Sequence, residues 1–301
     1  MDTYLHRNCP LCGGTSATTE VSSARCGESL EFAEIQKFWS GLFKEKVFFS
    51  YARCQACKLL YCPEYFQSDQ IAQLYADMAP NMDLVPSAAL VATQQGYWQA
   101  VADLVPSGGD YLEIGPDVGY VAQQAAASGK FGHFWLFEPN VAVHPTLARA
   151  TGDCSNTILA EMEDFSTVPD GSVGLAVMIH VLDHLLDPLT TLSAIRSKLR
   201  PDGALLIVTH NEQSLLRKLM ATRWPPFCLQ HPEVYNPRSI TALLEKSGYG
   251  SVNVARSTNH FPLDFMIRQA AHAFGLKLDK VPLPKRALGL KLGNIQTIAR
   301  F

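Results

Sequence analysis

Positive charge is scarce in this sequence: 25 Lys and Arg stand against 28 Asp and Glu, a formal net charge of −3. Such a balance gives no general attraction to polyanions and argues against nucleic acid as a partner. The most basic stretch places Lys280, Lys285, Arg286 and Lys291 among prolines and leucines, the pattern of a solvated surface. Long apolar runs are missing too. None approaches the roughly 20 residues of a membrane span, so no membrane partner is expected. The opening MDTYLHRNCPLCGG lacks the basic start and apolar stretch of a secretory signal, so a cytoplasmic location and reduced thiols are expected. Disulfides are then the weaker reading of the eight cysteines. Internal repeats and low-complexity tracts are also absent, which excludes solenoids and largely disordered chains.

What is present fits a globular chain large enough for two domains, since 47% of its 301 residues are hydrophobic and only 18% charged. Six of the eight cysteines fall before residue 63. Beyond that point, apolar runs alternate with amphipathic stretches, so a boundary near residue 66 is expected. Helical spacing of Leu90, Val91, Tyr97, Trp98, Val101 and Leu104 predicts a helix that ends before Pro106. Strands are predicted at 111–114, 134–137, 173–179 and 204–208, with helical patterns at 118–128, 146–151 and 188–199 between them. That alternation predicts an α/β fold with a doubly wound, mostly parallel sheet. A helix at 237–246 and the strands SVNVAR and NIQTIAR complete the chain. The expected division is a small amino-terminal domain at 1–66, a helical linker and lid region at 67–109, and the α/β core at 110–301.

Two C-x-x-C pairs, Cys9-Cys12 and Cys54-Cys57, stand 41 residues apart. Paired knuckles of this kind can wrap one tetrahedral Zn²⁺ in four thiolates, with Gly13 and Gly14 favouring the tight turn after the first pair. A four-sulfur shell leaves no open position, so such an ion folds the domain and performs no chemistry. Cys26 and Cys62 are left over, and Cys154 and Cys228 read as buried small hydrophobes.

The segment YLEIGPDVGY, residues 111–120, has the position of a ligand-binding turn between the first core strand and its helix. Only Gly115 matches the dinucleotide fingerprint, in which Asp117 and Tyr120 occupy glycine positions. An acid followed by glycines at the second, fourth and sixth positions gives Glu113, Gly115, Asp117 and Gly119, with Asp117 as the departure. In this the chain resembles the class I S-adenosylmethionine-dependent methyltransferases. Residues 171–211 look like that family's fourth strand, following helix and fifth strand, and LGLKLGNIQTIARF looks like its closing strand. The resemblance covers roughly residues 87–301 and implies a seven-stranded, Rossmann-like sheet. It implies that Gly115 and Gly119 let the backbone approach the methionine portion of the cofactor, that Glu113 helps to hold its amino group, and that Glu138 takes the two ribose hydroxyls. Glu161 and Met162 fall where the family recognises adenine, with Glu163 or Asp164 as alternatives. Asp117 must turn its carboxylate towards the cofactor's ammonium or water. The cysteine-rich start is similar to the zinc domain that precedes the core in sugar and natural-product methyltransferases.

Methyl transfer needs alignment and, where the acceptor carries a proton, a base. Histidine suits that task near neutral pH. His231, in the proline- and aromatic-rich WPPFCLQHPEVYNP, is the expected base, with Glu233 or Tyr235 to orient it. His180, just past the fourth core strand, is the second candidate. His184 reads as structural, bonded to a backbone carbonyl, and His210 with Asn211 as a lining of the same mouth. The expected activity is methyl transfer from S-adenosylmethionine to a hydroxyl or carbon of a small molecule, a sugar or secondary metabolite. An RNA base methyltransferase and a non-catalytic binding protein of the same fold are the alternatives. The former lacks its Asn-Pro-Pro-aromatic signature, since IHVLDH stands in that place.

Overall fold

The computed structural model describes residues 4–39, 46–76, 87–264, 266–268, 281–284 and 286–301. Lys280 and Lys285 of the basic stretch, and 77–86 of the expected lid region, lie outside the described residues. The amino-terminal part contributes the antiparallel strands β1 (Ala17–Val21), β2 (Tyr51–Cys54) and β3 (Leu60–Tyr61), followed by helix α1 (Ser68–Ala76). Helix α2 (Ser87–Ala102) then leads into the core, close to the span its apolar spacing predicts.

The core alternates β4 (Gly109–Ile114), α3 (Tyr120–Ala127), β5 (Phe131–Phe137), α4 (His144–Ala150), β6 (Asn156–Leu159), β7 (Val173–Ile179), α5 (Pro188–Lys198) and β8 (Leu199–His210). Strand β9 (Glu233–Val234), helix α6 (Pro237–Lys246), β10 (Ser251–Arg256) and β11 (Asn294–Arg300) follow. The large sheet has seven strands in the order β6-β5-β4-β7-β8-β11-β10, parallel except for β11, which runs antiparallel to both neighbours. Every residue of β7 is buried, as an unbroken apolar run should be when helices cover both faces of a parallel sheet. Strand β6 carries no such run. Its four residues are half-buried at the sheet edge, and for that reason periodicity does not announce it.

Strand order reverses between β4 and β7, so the turns after these two strands face a common crevice at their carboxyl ends. Helix boundaries follow local chemistry. Asp187 caps α5 by accepting from the Thr190 N–H, with Pro188 as its first residue, and Asn236 forms a capping box with Ser239 at the start of α6.

The amino-terminal segment does not stand apart from this core. Glu233–Val234 pairs with Leu60–Tyr61, so a core segment forms the fourth strand of the amino-terminal sheet, in the order β9-β3-β2-β1. Cys9, Leu11, Cys54, Leu59 and Tyr61 share one apolar cluster with Leu205, Ile207, Tyr235 and Ile240. Arg7 makes a buried ion pair with Glu233 at 3.0 Å and also donates to the Leu186 carbonyl. Among the described residues, no helix is long and apolar enough to cross a membrane.

Candidate functional site

The turn after β4 is a run of left-handed residues: Gly115 (φ 65°), Asp117 (φ 51°) and Gly119 (φ 80°). A Cβ on Gly115 would meet Val181 Cγ2 at 2.7 Å, and one on Gly119 would meet Leu147 Cδ1 at 2.6 Å. Both glycines are therefore required by close approach, the first to the loop after β7 and the second to α4. Asp117 adopts the conformation a glycine would take, and Asp is among the side chains that tolerate it best. Its N–H donates to Glu138 Oε2 at 2.8 Å, while the Asn140 N–H donates to Oε1 at 2.8 Å. Glu138, at the end of β5, is thus clamped by two backbone donors, and each oxygen keeps a lone pair for a further donor.

Glu113 departs from the role the resemblance gives it. It is 3% exposed and turns inward, where Oε2 accepts the Tyr111 hydroxyl at 2.7 Å. It braces the turn from beneath. Burial raises its carboxyl to about 7, against the Tyr111 bond and with help from Glu138. The folded chain therefore holds a proton that the unfolded chain releases, and stability falls as pH rises from the ordinary carboxylate range to about 7. Glu113→Gln removes that dependence. Relative to the parent, its unfolding free energy should rise by on the order of 3 kcal/mol between pH 4 and pH 8. Urea titrations at the two pH values read this directly, and a constant difference would show that the carboxyl is not perturbed. Glu161 is exposed and Met162 half-buried just beyond β6, where Met162 packs against the core.

Four histidines converge at the carboxyl ends of β7 and β8. Ring centroids of His180 and His210 are 4.6 Å apart, those of His210 and His231 5.0 Å, and those of His184 and His231 4.7 Å. His180 and His231 are thus members of one cluster, joined through His210. Their partners differ from expectation. Glu233 is turned away to Arg7, and what fixes His231 is the Pro226 carbonyl, 2.7 Å from Nδ1, with the Cys228 thiol at 3.4 Å. Nδ1–H donates to that carbonyl, so in the neutral ring the lone pair lies on Nε2. Among the described residues, His184 bonds no carbonyl through its ring. Its Nδ1 lies 2.8 Å from the hydroxyl of Tyr75, which α1 delivers.

Asp183, completely buried, had no place among the sequence candidates. Its Oδ2 accepts from His210 Nδ1 at 2.6 Å and from the His210 N–H at 3.1 Å. The signal was present as His180-x-x-Asp183-His184, but only the adjacency of β7 and β8 aims it at His210. Burial and then the charge of His210 drive His180 down to about 3, and burial and His231 do the same to His184. Burial opposes charge on His231 as well, yet Cys228 and Asp183 outweigh it and raise the ring to about 9. Of these three imidazoles, His231 has the greatest affinity for a proton.

The cysteine knuckles are equivalent in backbone. Gly13 (φ 73°) follows Cys12 and Lys58 (φ 66°) follows Cys57, each left-handed, and the Gly13 and Lys58 N–H groups donate to the Cys9 and Cys54 carbonyls at 2.8 and 3.1 Å. One sulfur from each of the four residues lies within 4.8 Å of the others, with Cys9–Cys57 at 3.4 Å and Cys12–Cys54 at 3.5 Å. A tetrahedral ion with Zn–S bonds near 2.3 Å spaces its sulfurs about 3.8 Å apart, so the set fits. A Cβ on Gly14 would lie 3.2 Å from Cys12 Sγ, which explains the glycine beside the sulfurs. Cys26 and Cys62 stand outside the group.

Residues 93–254 match the methyltransferase domain family. No curated protein matches the chain. Among solved structures, an S-adenosylmethionine-dependent methyltransferase from Thermotoga maritima is 15% identical with a TM-score of 0.47, and the match covers 70% of this chain and 90% of that one. One from Mesorhizobium loti is 15% identical with a TM-score of 0.47, covering 68% and 98%. One from Leishmania major is 12% identical with a TM-score of 0.48, covering 89% and 82%.

Proposed function

Because the chain belongs to the methyltransferase domain family and is an S-adenosylmethionine-dependent methyltransferase, we propose that it methylates a hydroxyl or carbon of a small molecule, a sugar or secondary metabolite, at the histidine cluster. The observation that carries this reading is the convergence of His180, His184, His210 and His231 beside the Gly115 turn. Imidazole is suited to taking a proton from oxygen or from an activated carbon.

The cofactor's place is the crevice at the ends of β4, β5 and β6. Glu138 takes the ribose hydroxyls with the lone pairs its backbone clamp leaves, Gly115 and Gly119 admit the methionine portion, and Glu161 or Met162 meets the adenine. Bound there, S-adenosylmethionine supplies a methyl carbon activated by its sulfonium. The chain's own part is alignment of the acceptor and removal of its proton. In its neutral form His231 would receive that proton on Nε2, since Nδ1 is committed to Pro226; with the ring raised to about 9, that form grows and turnover should climb as pH rises towards this value. Cys9, Cys12, Cys54 and Cys57 would hold a structural Zn²⁺, which fixes the fold of residues 1–66 and takes no part in the chemistry.

Glu138→Ala should weaken S-adenosylmethionine binding by on the order of 2 to 4 kcal/mol, because two charge-assisted bonds are lost. Calorimetry that finds parental affinity would refute this placement. The activity itself is tested with methyl-labelled cofactor against a panel of sugars, polyols and phenolics on one side and bulk RNA on the other. Label in a small acceptor supports the reading, whereas label in RNA alone overturns it.

A further inference from the structure

Within the histidine cluster, two polar atoms are buried without a hydrogen-bond partner among the described residues: Asp183 Oδ1 and His180 Nδ1. Leaving either one dry and unmatched costs on the order of 1 to 3 kcal/mol. They belong to side chains that, with His210, offer one donor atom each within 4.8 Å of one another. From this we infer that His180, Asp183 and His210 bind a divalent transition-metal ion, a second metal site separate from the four cysteines. The inference rests on the reading of the cluster as the acceptor pocket and adds a Lewis acid to it.

Two imidazoles and one carboxylate form the donor set that favours Fe²⁺, Co²⁺ or Zn²⁺ over Mg²⁺ or Ca²⁺, and three protein ligands leave open positions for oxygen. The supporting shell is in place. His180 Nε2 lies 3.3 Å from Asn294 Nδ2; exchange of that amide's nitrogen and oxygen on metal binding would let Nε2–H donate and leave the Nδ1 lone pair for the ion. The Asp183 carboxylate is held from behind by the His210 N–H at 3.1 Å. His180 itself is left-handed, with φ 54°, a conformation that costs a side-chain-bearing residue about 1 to 2 kcal/mol. Its N–H still donates to the Val208 carbonyl at 2.8 Å, so β7 keeps its pairing while the ring is re-aimed towards His210. An ion with bonds near 2.1 Å wants neighbouring donors about 3 Å apart, so binding would draw together donor atoms that already lie within 4.8 Å of one another.

An ion here polarises an acceptor oxygen while His231, whose ring is 5.0 Å from that of His210, takes the proton. The acceptor class this favours is one with two neighbouring oxygens, a diol or a hydroxyl beside a carbonyl, able to chelate through the open positions.

The test is Co²⁺ added to the metal-stripped full chain, read by bound metal per chain and by visible absorption. Two equivalents are expected. One gives the intense thiolate charge-transfer bands of a four-cysteine site, and the other gives only the weak bands of nitrogen and oxygen ligands. Asp183→Asn and His180→Ala should each weaken the second equivalent by on the order of 100-fold or more and leave the thiolate bands intact, which also shows that the variants are folded. A single equivalent with thiolate bands alone overturns the inference, and so does a second equivalent that survives both substitutions. Calorimetry with S-adenosylmethionine on the same samples separates the two readings, since failure of the cofactor to bind removes the methyl-transfer site without altering the metal count.

Discussion

Cys54→Ser should lower methyl transfer by on the order of 100-fold or more, while S-adenosylmethionine binds within about threefold of the parent. The first half follows from what holds His231. Tyr51, in the strand that ends at Cys54, donates its hydroxyl to the His231 carbonyl at 2.7 Å. The Cys62 N–H donates to Pro232, the next carbonyl, at 2.7 Å, and Glu233–Val234 then pairs with β3. Arg7, two residues before Cys9, closes the arrangement through Glu233. Loss of the proposed Zn²⁺ would free both knuckles and with them the wall that carries His231, the proposed base, and a displacement of an ångström there is enough to lose alignment. The second half follows from the turn proposed to hold the cofactor, which is held by Phe137, Glu138 and Leu147 of the core. Metal content, calorimetry and turnover on the same preparation decide the matter. Parental turnover in zinc-free protein would show that residues 1–66 are an independent unit, as the sequence division at residue 66 suggests.

His231→Ala should reduce turnover by about 10²- to 10⁴-fold with little change in cofactor affinity, the range expected when a positioned base is removed. The ring is 6% exposed, so the substitution leaves a cavity beside His184 and His210. Added imidazole should restore part of the rate, a response that a packing defect would not give. Cys228→Ala removes the thiol 3.4 Å from Nδ1 but keeps the Pro226 bond. Its effect should therefore be smaller. Turnover of His231→Ala within a factor of a few of the parent would transfer the role of base to another member of the cluster.

The sequence by itself determined the elements with strong periodicity and the residues whose spacing is short. Strand β7 reads directly from its apolar run, and α6 from Asn236-Pro237 at its start and Gly248 beyond its end. The knuckles and the turn at Gly115 are legible for the same reason: a left-handed position or a pair of cysteines three residues apart leaves a local mark. Even the departure at Asp117 has a local explanation, since the side chain takes the φ that a glycine would.

Partners across the fold were decided only by tertiary structure. Nothing in the spacing around Glu113 tells that its carboxylate turns inward, because its burial depends on elements that pack over the end of β4. Glu233 is as close to His231 in the chain as an orienting residue should be, yet strand alternation and the pairing with β3 send it to Arg7, 226 residues away. Asp183 and His210 are 27 residues apart and meet because β7 and β8 are parallel neighbours, which places the residues after one beside the end of the other. Periodicity records which face of an element is buried. It carries no information on which element will lie against that face, and on that choice depended the bracing of Glu113, the partner of Asp183 and the wall that holds His231.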